Sequence, residues 1–511
     1  MTTATTTTPS TEKKPWPALW ALIIGFFMIL IDTTIVSVAN PAIQRGLKVD
    51  SVSDVLWVTS AYLLAFSVPL LVTGRLGDRF GPKYLYLAGL VIFTLASGWC
   101  GFSNSLGMLI IARVVQGLGA SLMSPQTMAV ITRIFPPNQR GAAMAFWGAT
   151  SGVATLVGPI LGGLLVTGFG WQWIFFINLP LGVVGFILAA RLVPVLPTHP
   201  HRFDILGVIL SAIGLFLVVF GLQEANTYNW GTITNTPFSV WGLIIAGIVV
   251  LIAFVVWQRF NRGEPLLPLA LFRDRNFSLA NAGITTVGFA VTGMTLPLIY
   301  YLQVVRGMTP TQSALMLVPM AVFTIALSVP VGKLVNRINP KYIAFVGMLA
   351  LAGALYWYSA IMSPTVSIVY LLVPTALLGV ANAGIWAPLS NTATRNLPQQ
   401  QAGAGSGVYN TTRSIGSVLG SASIAALITG RLAAHGITGG GGDSGQVLPA
   451  FLQGKFTDAM AETLLLPAAI AVVGAFVVIF FAKPKANNAW QSQTAVSAAA
   501  AEPEPVTTQV E

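Results

Sequence analysis

GRLGDRFGPK, from Gly74 to Lys83, returns in weakened form as GKLVNRINPK, from Gly332 to Lys341. Gly, Leu, Arg, Pro and Lys hold the same five places in both copies. Each copy lies between two long apolar runs, so the duplication belongs to a set of membrane spans and not to a soluble repeat. Eight runs separate the copies where two six-span halves would give six, which predicts two spans inserted mid-chain.

Working outward, the 511-residue chain is 55% hydrophobic and 8% charged, against about 25% charged in soluble domains. Apolar runs long enough to cross about 30 Å of hydrocarbon are read at roughly 18–41, 54–73, 84–103, 107–132, 142–167, 172–193, 204–223, 238–258, 277–303, 311–331, 342–362, 366–392, 404–430 and 462–482. Runs of this length are helices, because backbone groups in lipid must be satisfied within the segment or in a closed barrel. The predicted class is an all-α polytopic membrane protein with 14 spans arranged six, two, six. Its parts are an N-terminal six-helix bundle at 16–195, two linker helices at 196–262 and a C-terminal bundle at 263–485 with an external loop at 431–461. An apolar segment in that loop, Val447 to Leu452, is read as resting on the membrane surface. Thr-rich 1–15 and Ala/Pro/Glu-rich 486–511 read as disordered tails.

With the amino terminus inside, nineteen of the 26 Lys and Arg residues fall on the cytoplasmic side and five outside. That bias predicts two cytoplasmic termini in a cell (plasma or inner) membrane. It also accounts for the net charge of +11 through contact with lipid headgroups, leaving no patch for nucleic acid. One cysteine, Cys100, excludes disulfides, and His199 and His201 form no metal set without further ligands. No phosphate loop occurs, since Gly332-Lys333 is followed by Leu and Gly454-Lys455 by Phe. No cofactor, metal or clustered reactive groups are implied, so an enzyme is not expected.

Two basic residues remain inside predicted spans, Arg113 and Arg413, together with one deeply placed acid, Asp32. Asp32 lies about 21 Å up the first span and Arg113 about 8 Å down the fourth, at similar height in the outer half. A carboxylate in hydrocarbon costs at least about 2.5 kcal/mol and is retained where it faces a partner or cavity. Arg413 either faces a cavity beside Asn410 or snorkels to the inner headgroups. Trp57, Tyr62, Tyr301, Gln303 and Trp386 are candidates for a greasy pocket with a few polar handles. In the first repeat copy, Gly74, Asp78, Arg79, Gly81 and Lys83 read as a gating loop, whose acid pairs with a helix end or an arginine in one conformation and releases it in another.

That loop resembles the signature between the second and third helices of the major facilitator superfamily. IDTTIVSVANPAI (Ile31–Ile43), ARVVQGLGAS (Ala112–Ser121) and GVATLVGPILGG (Gly152–Gly163) resemble the family's first-, fourth- and fifth-helix signatures, and WQWIFFINLPLG (Trp171–Gly182) is similar to a segment of its fourteen-helix drug:H+ antiporters of the EmrB/QacA-like kind. Asn40, Gln172 and Asn336 depart from those patterns. The resemblance implies proton coupling through Asp32 and Arg113, and a seal against proton leak in the helix carrying Gly152, Gly158, Pro159, Gly162 and Gly163. It further implies export of amphipathic, cationic small molecules by alternating access, by a chain acting as a monomer. A dedicated exporter of a polyamine or amino-acid derivative and a non-transporting sensor are the alternatives, and whether a periplasmic adaptor joins the chain is left open.

Overall fold

The computed structural model describes residues 15–49, 52–198, 204–225, 228, 230–233, 237–261, 265–397, 401–437 and 448–482. Apart from Pro15, the expected tails lie outside these residues, as do His199, His201 and Gly439 to Gly442. The described secondary structure is helical, with one isolated β-bridge between Thr232 and Ser239.

The first bundle contains α1 (Pro15–Gly46), α2 (Val52–Ser67), α3 (Leu70–Phe80), α4 (Pro82–Gly101), α5 (Leu106–Ile134), α6 (Pro137–Phe169), α7 (Trp173–Phe176) and α8 (Asn178–Leu192). A hairpin of α9 (Ile205–Glu224) and α10 (Val240–Phe260) follows. The second bundle contains α11 (Arg275–Tyr300), α12 (Pro310–Leu315), α13 (Val318–Arg337), α14 (Pro340–Ile361), α15 (Ile368–Thr394), α16 (Ala402–Ala434) and α17 (Ala450–Val478). Among the described residues 12 helices are long and apolar enough to cross a membrane, and α2 with α3, bent by 45°, makes 13. The run expected at 142–167 falls on the continuous helix α6, whose described apolar stretch is Val157–Phe169.

Local chemistry sets several helix starts. Ser105, Asp204, Ser239 and Asp274 each cap a helix by accepting a backbone N–H three residues on, which satisfies a donor the helix leaves open. Thr309 and Gln312 form a reciprocal capping box before α12. Asp204 also accepts from Trp257 Nε1 at 2.9 Å and Gln258 Nε2 at 2.7 Å, stapling α9 to α10.

Two expectations need correction. The sequence Gly74 to Lys83 is not a loop: α3 runs through Phe80, Gly81 alone turns the chain at φ +92°, and α4 starts at Pro82. Gly81 supplies a backbone conformation that other residues adopt only with strain, and Pro82 is suited to a first helical turn. The external loop expected at 431–461 is also shorter. Helix α16 reaches Ala434 and α17 begins at Ala450, so Ala450, Phe451 and Leu452 of the expected apolar segment lie in a helix, and Val447 lies outside the described residues.

Within the first bundle α5 packs on α2 and α4, and α1 on α6 and α8; within the second, α11 packs on α16 and α17, and α14 on α15 and α17. The bundles meet along two seams, α3 with α16 and α6 with α13 and α15. The hairpin α9–α10 leans on α16 and α2.

Candidate functional site

Asp32 on α1 and Arg113 on α5 form an ion pair through Oδ2 and Nη1, both side chains fully buried. The other carboxylate oxygen accepts from Gln116 Nε2 at 2.9 Å and from Asn178 Nδ2 at 3.4 Å. Arg113 donates through Nε to the Val58 carbonyl at 3.0 Å and through Nη1 to Gln116 Oε1 at 2.7 Å. Its guanidinium carbon lies 4.1 Å from the Tyr62 ring centroid, a cation–π contact. Asn178 is held by Ser97 Oγ at 3.0 Å, and Ser97 donates to the Phe175 carbonyl at 2.9 Å.

Six helices of the first bundle thus contribute to the network around one carboxylate. Removing two charges from water costs several kcal/mol per ion, an expense offset only by good geometry and further hydrogen bonds. The network supplies both, and it leaves one guanidinium nitrogen, Nη2, and the Tyr62 hydroxyl without a partner among the described residues. Gln116 and Asn178 were not singled out from sequence, although both lie inside segments quoted there. A neutral amide on a helix carries no signal that separates a carboxylate partner from an ordinary packing residue.

The second site is Asp78, at the end of α3. Its Oδ1 accepts from Gly403 N and its Oδ2 from Ala404 N, each at 2.9 Å, so the carboxylate sits on the positive end of α16. Arg133 of α5 completes the pairing. Of the basic residues in the same repeat copy, Lys83 donates to the Ala190 carbonyl at 2.7 Å and the Arg79 guanidinium lies 5.2 Å from the Phe80 ring centroid. Both partners foreseen for this acid, a helix end and an arginine, are present at once.

Backbone contact reinforces that seam. A Cβ at Gly74 would stand 2.5 Å from the Gly403 carbonyl oxygen and 2.9 Å from Gly407 Cα. In the second repeat copy, a Cβ at Gly332 would stand 2.7 Å from Ala142 Cα and 2.9 Å from the Gly141 carbonyl oxygen, on α6. The first glycine of each copy therefore presses on the opening turns of a helix in the opposite bundle. On this face the two bundles are closed against each other.

Along the segment from Gly152 to Gly163, Gly158 packs on α1, where a Cβ would fall 1.9 Å from Thr34 Oγ1. Gly163 faces Thr311 of α12, and Gly162 is buried. Pro159 lies within α6, and the helix continues through it. This stretch joins α1, two residues beyond Asp32, to the seam between bundles.

The pocket candidates are dispersed. Tyr62 belongs to the Arg113 network, and Trp57 packs at 5.7 Å on Phe220 of the inserted hairpin. Tyr301 donates to the Ser363 carbonyl at 2.7 Å and starts a π-helical turn, Tyr301–Val305, that holds Gln303. Trp386 donates to Asn382 at 3.1 Å and shares one central apolar cluster with Phe26, Trp147, Tyr301 and Tyr409. Asn410 accepts from Ser124 of α5 at 3.4 Å. Arg413, one turn further, makes no hydrogen bond or ion pair among the described residues, and its Nε is shut off from solvent.

Two bundles closed at one face by a repeated glycine, with one carboxylate network buried in the first, are features the comparisons put in context. The chain is 50% identical over 92% of its length to an uncharacterized MFS-type transporter, Rv1250, of Mycobacterium tuberculosis, covering 81% of it. It is 34% identical over 82% of its length to the tetracenomycin C resistance and export protein of Streptomyces glaucescens, covering 77% of it. The fold matches the proton:xylose symporter XylE with a TM-score of 0.63 at 13% identity, across 92% of this chain and 96% of that one. Residues 22–421 match the model of the Major Facilitator Superfamily. This polytopic membrane protein therefore belongs to the major facilitator superfamily, a family of transporters and not of enzymes.

Proposed function

We propose that the chain is a proton-coupled exporter of amphipathic small molecules, of the fourteen-helix drug:H+ antiporter type, working by alternating access as a monomer in the cell membrane. The fourteenth span is α6, the spans divide six, two, six, and both termini and the closed face are cytoplasmic. The observation that carries the reading is the buried network of Asp32, Arg113, Gln116 and Asn178. Export is supported by the likeness to a relative named for resistance and export.

In the mechanism, a proton reaching Asp32 neutralises the carboxylate and ends the ion pair with Arg113. The freed guanidinium keeps Tyr62 and the Val58 carbonyl, while α1 loses its charged tie to α5. Because α1 bears on α6 at Thr34 and Gly158, that loss reaches the seam, where Asp78 and the two repeat glycines hold the closed state. Proton binding and substrate binding are then linked through the equilibrium between closed and open seams, each altering the affinity for the other by the same factor.

A preference for cations was expected from a carboxylate free to receive them. Here both oxygens of Asp32 are engaged within the first bundle, which gives that preference no support from geometry.

The reading is tested in proteoliposomes carrying a pH-sensitive dye, under an imposed proton gradient, with a panel of amphipaths added to wild type and Asp32→Asn. Substrate-induced proton movement that is lost in the variant supports it. Equal responses in the two proteins remove Asp32 from the mechanism, and silence across the panel favours a narrow metabolite exporter or a sensor.

A further inference from the structure

Helix α16 carries an arginine, Arg413, that has no counter-ion among the described residues. Arg413 lies 11 residues beyond Ala402, where α16 begins, hence about 16 Å along a helix about 50 Å long and within its membrane-crossing stretch. A guanidinium at that depth is costly and is normally paired. Asp32, the buried carboxylate of α1, is committed to Arg113.

Other buried polar atoms share the same need. The Arg413 Nε, the Tyr409 hydroxyl one turn below and the Trp147 Nε1 on α6 are all buried without a partner among the described residues. Tyr409 and Arg413 are four residues apart on α16 and so share one face of that helix. Arginine and tryptophan nitrogens only donate, and a tyrosine hydroxyl readily does, so each of these three groups wants an acceptor. Tyr409 and Trp147 also belong to the apolar cluster that includes Phe26 and Trp386, and Phe26 stacks on Trp147 at 4.9 Å. An unpartnered arginine and tyrosine one turn apart on α16, the tyrosine set in a cluster of aromatic rings contributed by both bundles, suit an acid on a flat apolar body.

The geometry points to Arg413, aided by Tyr409, as the recognition residue for the carboxylate of an acid-bearing aromatic amphipath. This names the substrate class within the exporter reading and rests on it. A carboxylate accepts two parallel hydrogen bonds from a guanidinium, which an amide or an amine cannot do. Asn410, held between Ser124 and the Ser406 carbonyl, lies one turn below as part of the closed seam, so an acid on Arg413 sits directly above the contact between bundles.

The test is equilibrium binding of pyrenebutyrate, pyrenebutyramide and pyrenebutylamine to the full-length protein in phosphatidylcholine nanodiscs, with empty discs subtracted. The three probes share one aromatic body and differ only in the end group. Wild type is expected to favour the acid over the amide by at least about tenfold, the worth of a charge-assisted hydrogen bond. Arg413→Gln should erase that preference while leaving amide binding intact, and Arg413→Lys should keep part of it; Tyr409→Phe should weaken acid binding alone. Equal binding of the three probes by wild type, or preference for the amine, overturns the proposal without any variant having to fold. So does acid binding that is displaced by phosphatidylglycerol in the disc, which assigns the site to a lipid headgroup. Proton-linked flux of the amide with no acid preference leaves the exporter reading standing and this one fallen, and acid preference without any proton-linked flux does the reverse.

Discussion

The carboxylate of Asp78 caps the amino terminus of α16, taking the N–H groups of Gly403 and Ala404 at 2.9 Å each across the boundary between bundles. A capping carboxylate contributes about 0.5–2 kcal/mol, and the same helix end attracts its charge. Here the cap and the helix belong to different bundles, so its contribution counts only while the seam is closed.

Asp78→Asn is therefore expected to open the seam more often. A loss of 1–2 kcal/mol corresponds to roughly a 5- to 30-fold change in the ratio of closed to open states. Thiol labelling of a Ser406→Cys reporter measures it, with low background because Cys100 is buried. An unchanged labelling rate would show that the cap does not stabilise the closed state.

Gly74→Ala and Gly332→Ala should act alike, although they lie in different bundles. Each methyl would stand under 3.0 Å from backbone atoms of the facing helix, which must move apart. Both variants should raise labelling of the same reporter and lower the proton-linked flux. An effect from one glycine alone would break the equivalence of the two repeat copies.

Breaking the buried ion pair from one side should be worse than removing it. Arg113→Met leaves Asp32 uncompensated and is expected to cost about 3–5 kcal/mol, whereas Arg113→Met with Asp32→Leu should recover most of that loss. Thermal unfolding in detergent gives the comparison. The double variant should remain inactive in proton-linked flux, and recovered flux would exclude the pair from coupling.

Asp204 ties α9 to α10 outside the membrane-spanning segments. Burial opposes its charge, yet hydrogen bonds from Trp257, Gly207, Gln258 and Leu266 hold its carboxyl below the usual range. A depressed value means the stabilisation is present above the unfolded pKa, about 3.9, and is lost as pH falls through the folded one. Asp204→Asn should lower the melting temperature at neutral pH, with the gap to wild type narrowing below about pH 4. A gap constant with pH would mean that the staple does not depend on charge.

Legibility of the sequence varied with the kind of force involved. Depth arithmetic put Asp32 and Arg113 at similar height, because a helix rises by a fixed amount per residue, while the expectation that they face each other came from the family resemblance. Gln116 and Asn178 stayed hidden, since amides cost little in a helix and have many partners. The turn at Gly74 to Lys83 was read as a loop because glycines disfavour isolated helices. In the fold Gly74 meets the backbone of α16 and Gly77 meets Gln126, so packing outweighs propensity. The start of α17 was placed 12 residues late, at 462 instead of Ala450, because hydropathy detects the membrane and Gln453, Lys455 and Asp458 lie in the helix's polar lead.

The duplicated glycines at 74 and 332 also set where this protein can diversify. A position without a side chain, pressed against backbone, offers substitution a single outcome, a gap in the floor. Changes that retune the range of compounds handled must therefore accumulate above it, in the rings and donors around Trp147, Trp386 and Arg413. A mutational survey scored for altered specificity should leave the floor blank and fill that upper wall.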